Sequence, residues 1–344
     1  MPSNKNIIWS IIAGLLGGAL FSMMMKGGLP AMIGLCLSPL PVIMAGLSIG
    51  LIGATIASAA GLLLLSALTF GEATIIYFAW DIAPSLLLVY LVLKHRTQGK
   101  GTVWYPLGYM LSWLSLLTAG IALLTILAIV ATLDTAITST VTNTAAQVTA
   151  APVPAPSLDI DAGLKALFLK AISSTLSSQI DASTTMAAIE KIVPIFMTMI
   201  AATWLLRIVF VAYIAEYILL KKKKALRPKP SYTEIYVQNW ALVVVVAGAA
   251  IGYLASGNLG YISSNLAACM AIPFCALGLS RIHLWAEQTK FAGILLIIFY
   301  TLLTLAFIFG LGAVEVFVML VAIGLYEQLS RMYRTSIQKK MERK

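Results

Sequence analysis

Two charges stand inside otherwise apolar runs: Asp81, beside Trp80 and three residues before Pro84, and Arg207, in the middle of the run from Ile192 to Leu220. A carboxylate at the centre of a bilayer costs about 2.5 to 3.5 kcal/mol on insertion scales, so Asp81 must face protein or water and needs a partner. Arg207 has no partner on its own helix, because Glu216 lies nine positions on and falls on roughly the opposite face. Counted from the starts of two helices of the same direction, Asp81 lies about 8 residues down and Arg207 about 15, a level difference of roughly 10 Å. A long arginine leaning toward its helix N-terminus closes much of that gap. Two uses stay open: a structural pair, snorkelling included, or a site that binds a solute or an ion.

The remaining candidates surround that pair. Pro39 and Pro41 fall together in the run from Ala31 to Leu47, and Pro273 falls in the run from Asn265 to Trp285. Each removes an amide donor, which a membrane helix tolerates only where protein or water satisfies the freed carbonyl, so each marks either a packed kink or the wall of a cavity. Asn239 and Asn265 stand where helices are expected to open, and capping explains both. Asp81, Arg207, Pro39, Pro41, Pro273 and Asn265 together make the candidate solute or ion site, among the second, fourth, sixth and eighth helices. Glu216 is expected to pair with a lysine such as Lys223, and Glu72 and Glu315 to be solvated at helix ends.

Catalytic chemistry has little to work with. His95 and His283 sit at basic helix ends with no cysteine or carboxylate cluster nearby, so no metal site is expected. Cys36, Cys269 and Cys275 are odd in number and lie in apolar runs, against a disulfide framework. A phosphate-binding glycine loop, HExxH and GxSxG are all missing from the sequence. We expect no enzyme, no catalytic residue, no cofactor and no metal; uphill movement of a solute would draw on an ion gradient or another subunit.

The elements that position these residues follow from composition. Of 344 residues 60% are apolar and 10% charged, and the mean hydropathy is +0.95. Soluble domains carry about 25% charged residues, so this is a polytopic membrane protein. Its long uninterrupted runs suit helices, which need about 20 apolar residues to cross, and not alternating barrel strands. We expect an all-α bundle of about ten spans, near residues 7–25, 31–47, 50–68, 73–93, 104–130, 192–220, 237–255, 265–285, 291–310 and 314–329. Residues 1–131 and 192–334 form two membrane halves and 335–344 a basic tail. Between the halves, 132–191 hold an Ala/Thr/Pro-rich linker, flexible around the APVPAP stretch, and an amphipathic helix with Leu164, Leu167, Phe168, Ile172 and Leu176 on one face. Small residues four apart, among Ala13, Gly14, Gly17 and Gly18 in the first span and on two rows of the third, Gly50, Ala54 and Ser58 beside Gly53, Ala57 and Gly61, predict faces where helices approach closely.

Orientation follows from the basic residues. If the cluster of Lys221 to Lys224, Arg227 and Lys229 is cytoplasmic, eighteen of the 23 Lys and Arg fall inside and four outside, with Arg207 in the membrane. That bias places both termini in the cytoplasm. Trp9, Trp104, Trp240 and Trp285 then form an aromatic belt at the inner interface. The net charge of +10 is spread between apolar runs and not over one soluble face, which speaks against nucleic acid. Orientation also explains the lysine run; docking of anionic lipid or a cytoplasmic partner is the second explanation.

The stretch GLPAMIGLCLSPLPVIMAGLSIGLIGA from Gly28 to Ala54, with NLAACMAIPFCALGLSRIHLW from Asn265 and GLYEQLSRMYR from Gly324, resembles the YybS-like family of bacterial multipass membrane proteins. The resemblance covers most of the membrane part and not the outer insert. That family is similar to the substrate-binding S components of energy-coupling-factor transporters, which rely on a separate ATPase module. The resemblance implies a solute-binding or transport subunit of the bacterial cytoplasmic membrane, with the bilayer, a small solute and an ATPase module as partners. This chain has more spans than the compact S components, and the resemblance carries over no ligand residues. A non-transport scaffold or assembly factor, binding partner proteins through its small-residue faces and basic loops, is the competing expectation.

Overall fold

The structure, a computed structural model, describes residues 3–98, 101–145, 159–175, 182–232, 235–309 and 313–341. It is almost wholly helical. Among the described residues seven helical segments are long and apolar enough to cross a membrane: Asn4–Lys26, Gly28–Ile49, Leu51–Thr69, Ala73–Leu93, Leu107–Thr132, Thr185–Lys221 and Gly257–Glu287. Asn239–Leu254 and Ala292–Leu305 are apolar but shorter. The chain is a multipass membrane protein.

It divides into two compact units, the first of residues 1–117, 203–242 and 270–344, the second of 118–202 and 243–269. In the first unit, helix α1 (Asn4–Ser22) lies along α4 (Leu51–Thr69) on the small-residue faces read from the sequence. A Cβ on Gly18 would stand 2.7 Å from the Gly61 carbonyl oxygen, and one on Gly61 2.8 Å from that of Gly14, so the two backbones touch where any side chain would separate them.

The second and fourth spans are each broken. Ser38 and Pro39 separate α2 (Gly28–Leu37) from α3 (Leu40–Ile49). Between α5 (Glu72–Tyr77) and α6 (Ala83–Leu93) runs a π turn, Phe78–Ile82, in which the Ala83 N–H reaches back to the Phe78 carbonyl. Pro84 follows at once. It has no amide to give the Trp80 carbonyl, and the wider π turn accommodates the resulting gap in the ladder. The basic loop after the fourth span is a hairpin, β1 (His95–Gln98) paired antiparallel with β2 (Gly101–Trp104).

Among the described residues two apolar clusters fill this unit. One joins Phe21, Val42, Leu65, Tyr77 and Ile82; the other joins Ile43, Leu88 and Leu114 to Leu205, Ile208 and Val211. The last three lie on α10 (Phe196–Lys221). That helix ends where Lys223 takes a positive φ of 55° and the Lys224 N–H returns to the Leu219 carbonyl at 2.9 Å, a left-handed C-terminal cap. The following loop is tied down by a 3.0 Å hydrogen bond from the Leu226 N–H to the Leu47 carbonyl. Toward the C-terminus, α12 (Gly257–Glu287) meets α14 (Ala313–Met341) at Gly278 and Gly324, while α13 (Ala292–Phe309) packs on α14. Glu327 binds both Arg281 and Arg331, the latter at 2.7 Å.

In the second unit, α7 (Leu107–Ala145) continues helical through residues 132–145, where the sequence suggested a linker. The reason is local: no proline or glycine interrupts the chain from Ile121 to Ala151. Residues 146–158, with the APVPAP stretch, lie outside the described residues. The amphipathic segment forms two helices, α8 (Ile160–Thr175) and α9 (Ala182–Ile192), and a short 3₁₀ turn, Val193–Ile195, leads into α10. Ile160 and Leu164 are fully buried, and Gly163 sits against Val130. α11 (Asn239–Leu254) approaches the start of α12 through Gly248 and Gly252, which face Ser263, Ser264 and Ala267. The GNLG stretch, residues 257–260, has the composition of a turn but belongs to α12 itself; of its residues only Gly257 has a positive φ, 62°.

Candidate functional site

Asp81 and Arg207 form a direct ion pair, with side chains 0% and 9% exposed. Arg207 also uses its other donors. Nη1 donates to the Leu35 carbonyl, and Nη2 to the Trp80 carbonyl at 3.3 Å as well as to Asp81. Each of these carbonyls lies four residues before a proline: Leu35 before Pro39, Trp80 before Pro84. In a regular helix the amide of residue i+4 would occupy them, and proline has none. One guanidinium therefore fills the gaps left by both prolines, and the planar fork of arginine suits this where a lysine ammonium would not.

The remaining contacts hold the pair rigid. The Ser38 hydroxyl donates to the other oxygen of Asp81, from the break between α2 and α3. The guanidinium lies 3.9 Å from the ring centre of Trp204, one turn back on α10, and Trp204 packs at 4.8 Å on Trp80. Arg207 Nε has no partner among the described residues, and neither have the buried hydroxyls of Thr74, Tyr77 and Ser85 on the same broken helix as Asp81.

The other candidates fall elsewhere. Pro39 belongs to the pair's surroundings through the carbonyl it frees, and Pro41 is buried in the first turn of α3. Pro273 is buried within α12, one residue before Phe274, whose carbonyl faces Gly324. Asn265 does not open a helix. It lies inside α12 in the second unit, donates to the carbonyls of Pro194 and Tyr261 at 2.8 and 2.9 Å, and accepts from the Thr198 N–H and hydroxyl at 3.0 and 2.7 Å. Asn239 opens α11, and its side-chain oxygen accepts from Gln328. The Glu72 side chain lies outside the described residues; Glu315 sits in the first turn of α14.

A separate feature was not read from the sequence. The first unit contains a cavity of about 730 Å³. Its walls are apolar, among them Leu47, Leu88, Leu111, Leu114, Val209 and Phe210, and its polar groups gather at one end in Glu216, Arg227 and Tyr232. None of the six candidate residues lines it. Glu216 accepts from the Tyr232 hydroxyl at 2.9 Å instead of pairing with Lys223. Arg227 reaches back to the Val92 and Tyr105 carbonyls at 3.3 and 3.2 Å, closing the end of α6. Loop positions such as Arg227 and Tyr232 carry no periodicity that would place them against α10 in advance. The signal within reach was Glu216, an acidic residue one turn from the end of an apolar span.

Comparison of the chain with protein-family models, with curated proteins and with solved structures yields no match. Fold and site define a class, a multipass α-helical membrane protein with an intramembrane ion pair set between two broken helices.

Proposed function

We propose that the chain is a solute-binding or transport subunit of the bacterial cytoplasmic membrane, crossing it about ten times with both termini in the cytoplasm. The observation that carries the reading is the cavity. Its volume falls within the range of small-molecule sites, about 300 to 1,000 Å³, and such sites combine apolar walls with a few convergent polar groups. Leu206, Val209 and Phe210 of its wall flank Arg207 on α10, so a solute there bears on the helix that holds the ion pair. Broken helices with an intramembrane charge are a recurrent construction of transporters. The resemblance to the YybS-like family and to S components adds an ATPase module as the energy source.

One observation favours the scaffold reading: the ion pair is enclosed by protein groups and does not reach the cavity. Purification in mild detergent followed by native mass spectrometry separates the two. The transport reading expects a co-purifying small molecule or an ATPase subunit. If neither appears, and Arg207→Ala leaves the uptake of every tested solute unchanged, the scaffold reading replaces it.

A further inference from the structure

The cavity has a direction, because its polar residues lie at one end and its open side lies on another. Leu206, Phe210 and Tyr213 line it and are nevertheless 61%, 63% and 54% exposed. In a membrane helix such exposure faces lipid, so the cavity opens sideways into the hydrocarbon layer. At the polar end the wall passes into the loop after α10, through Ala225, Arg227, Pro230 and Tyr232. Lys221 ends α10 and that loop carries Lys222, Lys223, Lys224 and Lys229, all exposed, together with Arg227. Among the described residues Glu216 is the one carboxylate lining the cavity, and it is already engaged by Tyr232.

An apolar slot open to the bilayer, whose wall passes through Arg227 into a lysine-rich loop, matches one ligand chemistry: an acyl chain joined to an anionic headgroup. We propose that the cavity binds a membrane lipid with an anionic phosphodiester head, its chain entering between Leu206 and Phe210 and its head lying against the lysine loop. This deepens the solute-binding reading and rests on it.

The charge carries the specificity. An acyl chain moving from the bilayer into the cavity leaves one apolar medium for another, so burial supplies no discrimination between lipids. Basic residues at the membrane surface attract anionic lipid individually, and their removal weakens that attraction step by step. A water-soluble anion would gain the same headgroup contacts but would leave the apolar slot unfilled, and the experiment tells these sources apart.

The test uses the full chain in mild detergent and native mass spectrometry, with phosphatidylglycerol and phosphatidylcholine of identical acyl chains as probes and glycerol phosphate as the soluble anion. Phosphatidylglycerol should be retained over phosphatidylcholine by roughly tenfold, a preference within reach of a few lysines, and glycerol phosphate should not be retained. Replacing Lys222, Lys224 and Lys229 together by glutamine alters only exposed side chains; it should abolish the preference while some lipid of both kinds is still held. Ala212→Phe, which fills the cavity, should abolish retention of both. Equal retention of the two lipids by the native chain, or a preference that survives Ala212→Phe, overturns the lipid assignment. A water-soluble molecule that co-purifies and is lost in Ala212→Phe, without any lipid preference, overturns the lipid assignment and leaves the solute-binding reading standing. Absence of every ligand overturns both.

Discussion

Arg207 donates to the Leu35 carbonyl because Pro39, four residues on, cannot. The same guanidinium serves Trp80, whose helical partner would have been Pro84, and neutralises Asp81 beside it. Two helix breaks are thus bound to a third helix through one side chain.

Removing either charge leaves the other buried and uncompensated. Asp81→Asn and Arg207→Gln should each destabilise the protein by about 3 to 5 kcal/mol, and the double variant should recover much of the loss. Thermal unfolding in detergent measures the cycle. If the single variants melt with the native chain, the pair does not hold the two broken helices.

Arg207→Lys keeps the charge but not the fork. An ammonium cannot span the Leu35 and Trp80 carbonyls and the Asp81 carboxylate together, and each lost charged hydrogen bond costs about 1.5 to 3 kcal/mol. Pro39→Ala should be milder, because the new amide can take the Leu35 carbonyl itself. The ranking of the two melting temperatures decides the matter: a chain that tolerates lysine better than Pro39→Ala contradicts this account of the prolines.

Contact between α1 and α4 makes a sharper steric prediction. A Cβ on Gly61 would lie 2.8 Å from the Gly14 carbonyl oxygen and 3.1 Å from the Tyr77 hydroxyl, so Gly61→Val should cost about 1 to 3 kcal/mol by overpacking. Gly120, on α7, has nothing within 4 Å of such an atom. Gly120→Ala should leave the melting temperature unchanged or raise it, since alanine is favoured over glycine within a helix.

Tyr232 provides a pH signature. Burial first, and the neighbouring Glu216 carboxylate second, raise its phenol above the ordinary tyrosine value. Because the folded value lies above the unfolded one, the stability from its hydrogen bond to Glu216 is fully present below about pH 10 and is lost as pH rises through the raised value. In an ultraviolet titration, the difference between the native chain and Tyr232→Phe should therefore develop only above about pH 10. A Tyr232 that ionises earlier contradicts this burial.

That Asp81 needs a partner, and that Arg207 was a candidate for it, was legible in the sequence because a lone charge in an apolar run must be compensated; that the two pair directly was not. The roughly 10 Å offset between them was misleading for a physical reason. The apolar helical segment that carries Arg207 runs from Thr185 to Lys221, 37 residues, which at about 1.5 Å each exceeds the roughly 30 Å hydrocarbon core. A segment longer than the core offers no fixed level from which to count residues. Pro39 announced that a carbonyl needed a partner, but which donor would reach Leu35 depends on packing between helices distant in sequence. The small-residue faces at Gly14, Gly18, Ala57 and Gly61 were legible because their spacing is itself the contact. Asn265 was misplaced because GNLG reads as a turn, although Leu259 and Gly260 are already helical. The cavity was not legible at all, since its polar end comes from a loop.

The π turn at Phe78–Ile82 holds one residue more than an α-helix of the same length requires. The wide turn absorbs that residue; wound as an unbroken α-helix with every residue kept, one half of the fourth span would be turned against the other by about 100°. The extra residue acts as the phase setting of this helix, and it keeps the carboxylate turned toward Arg207.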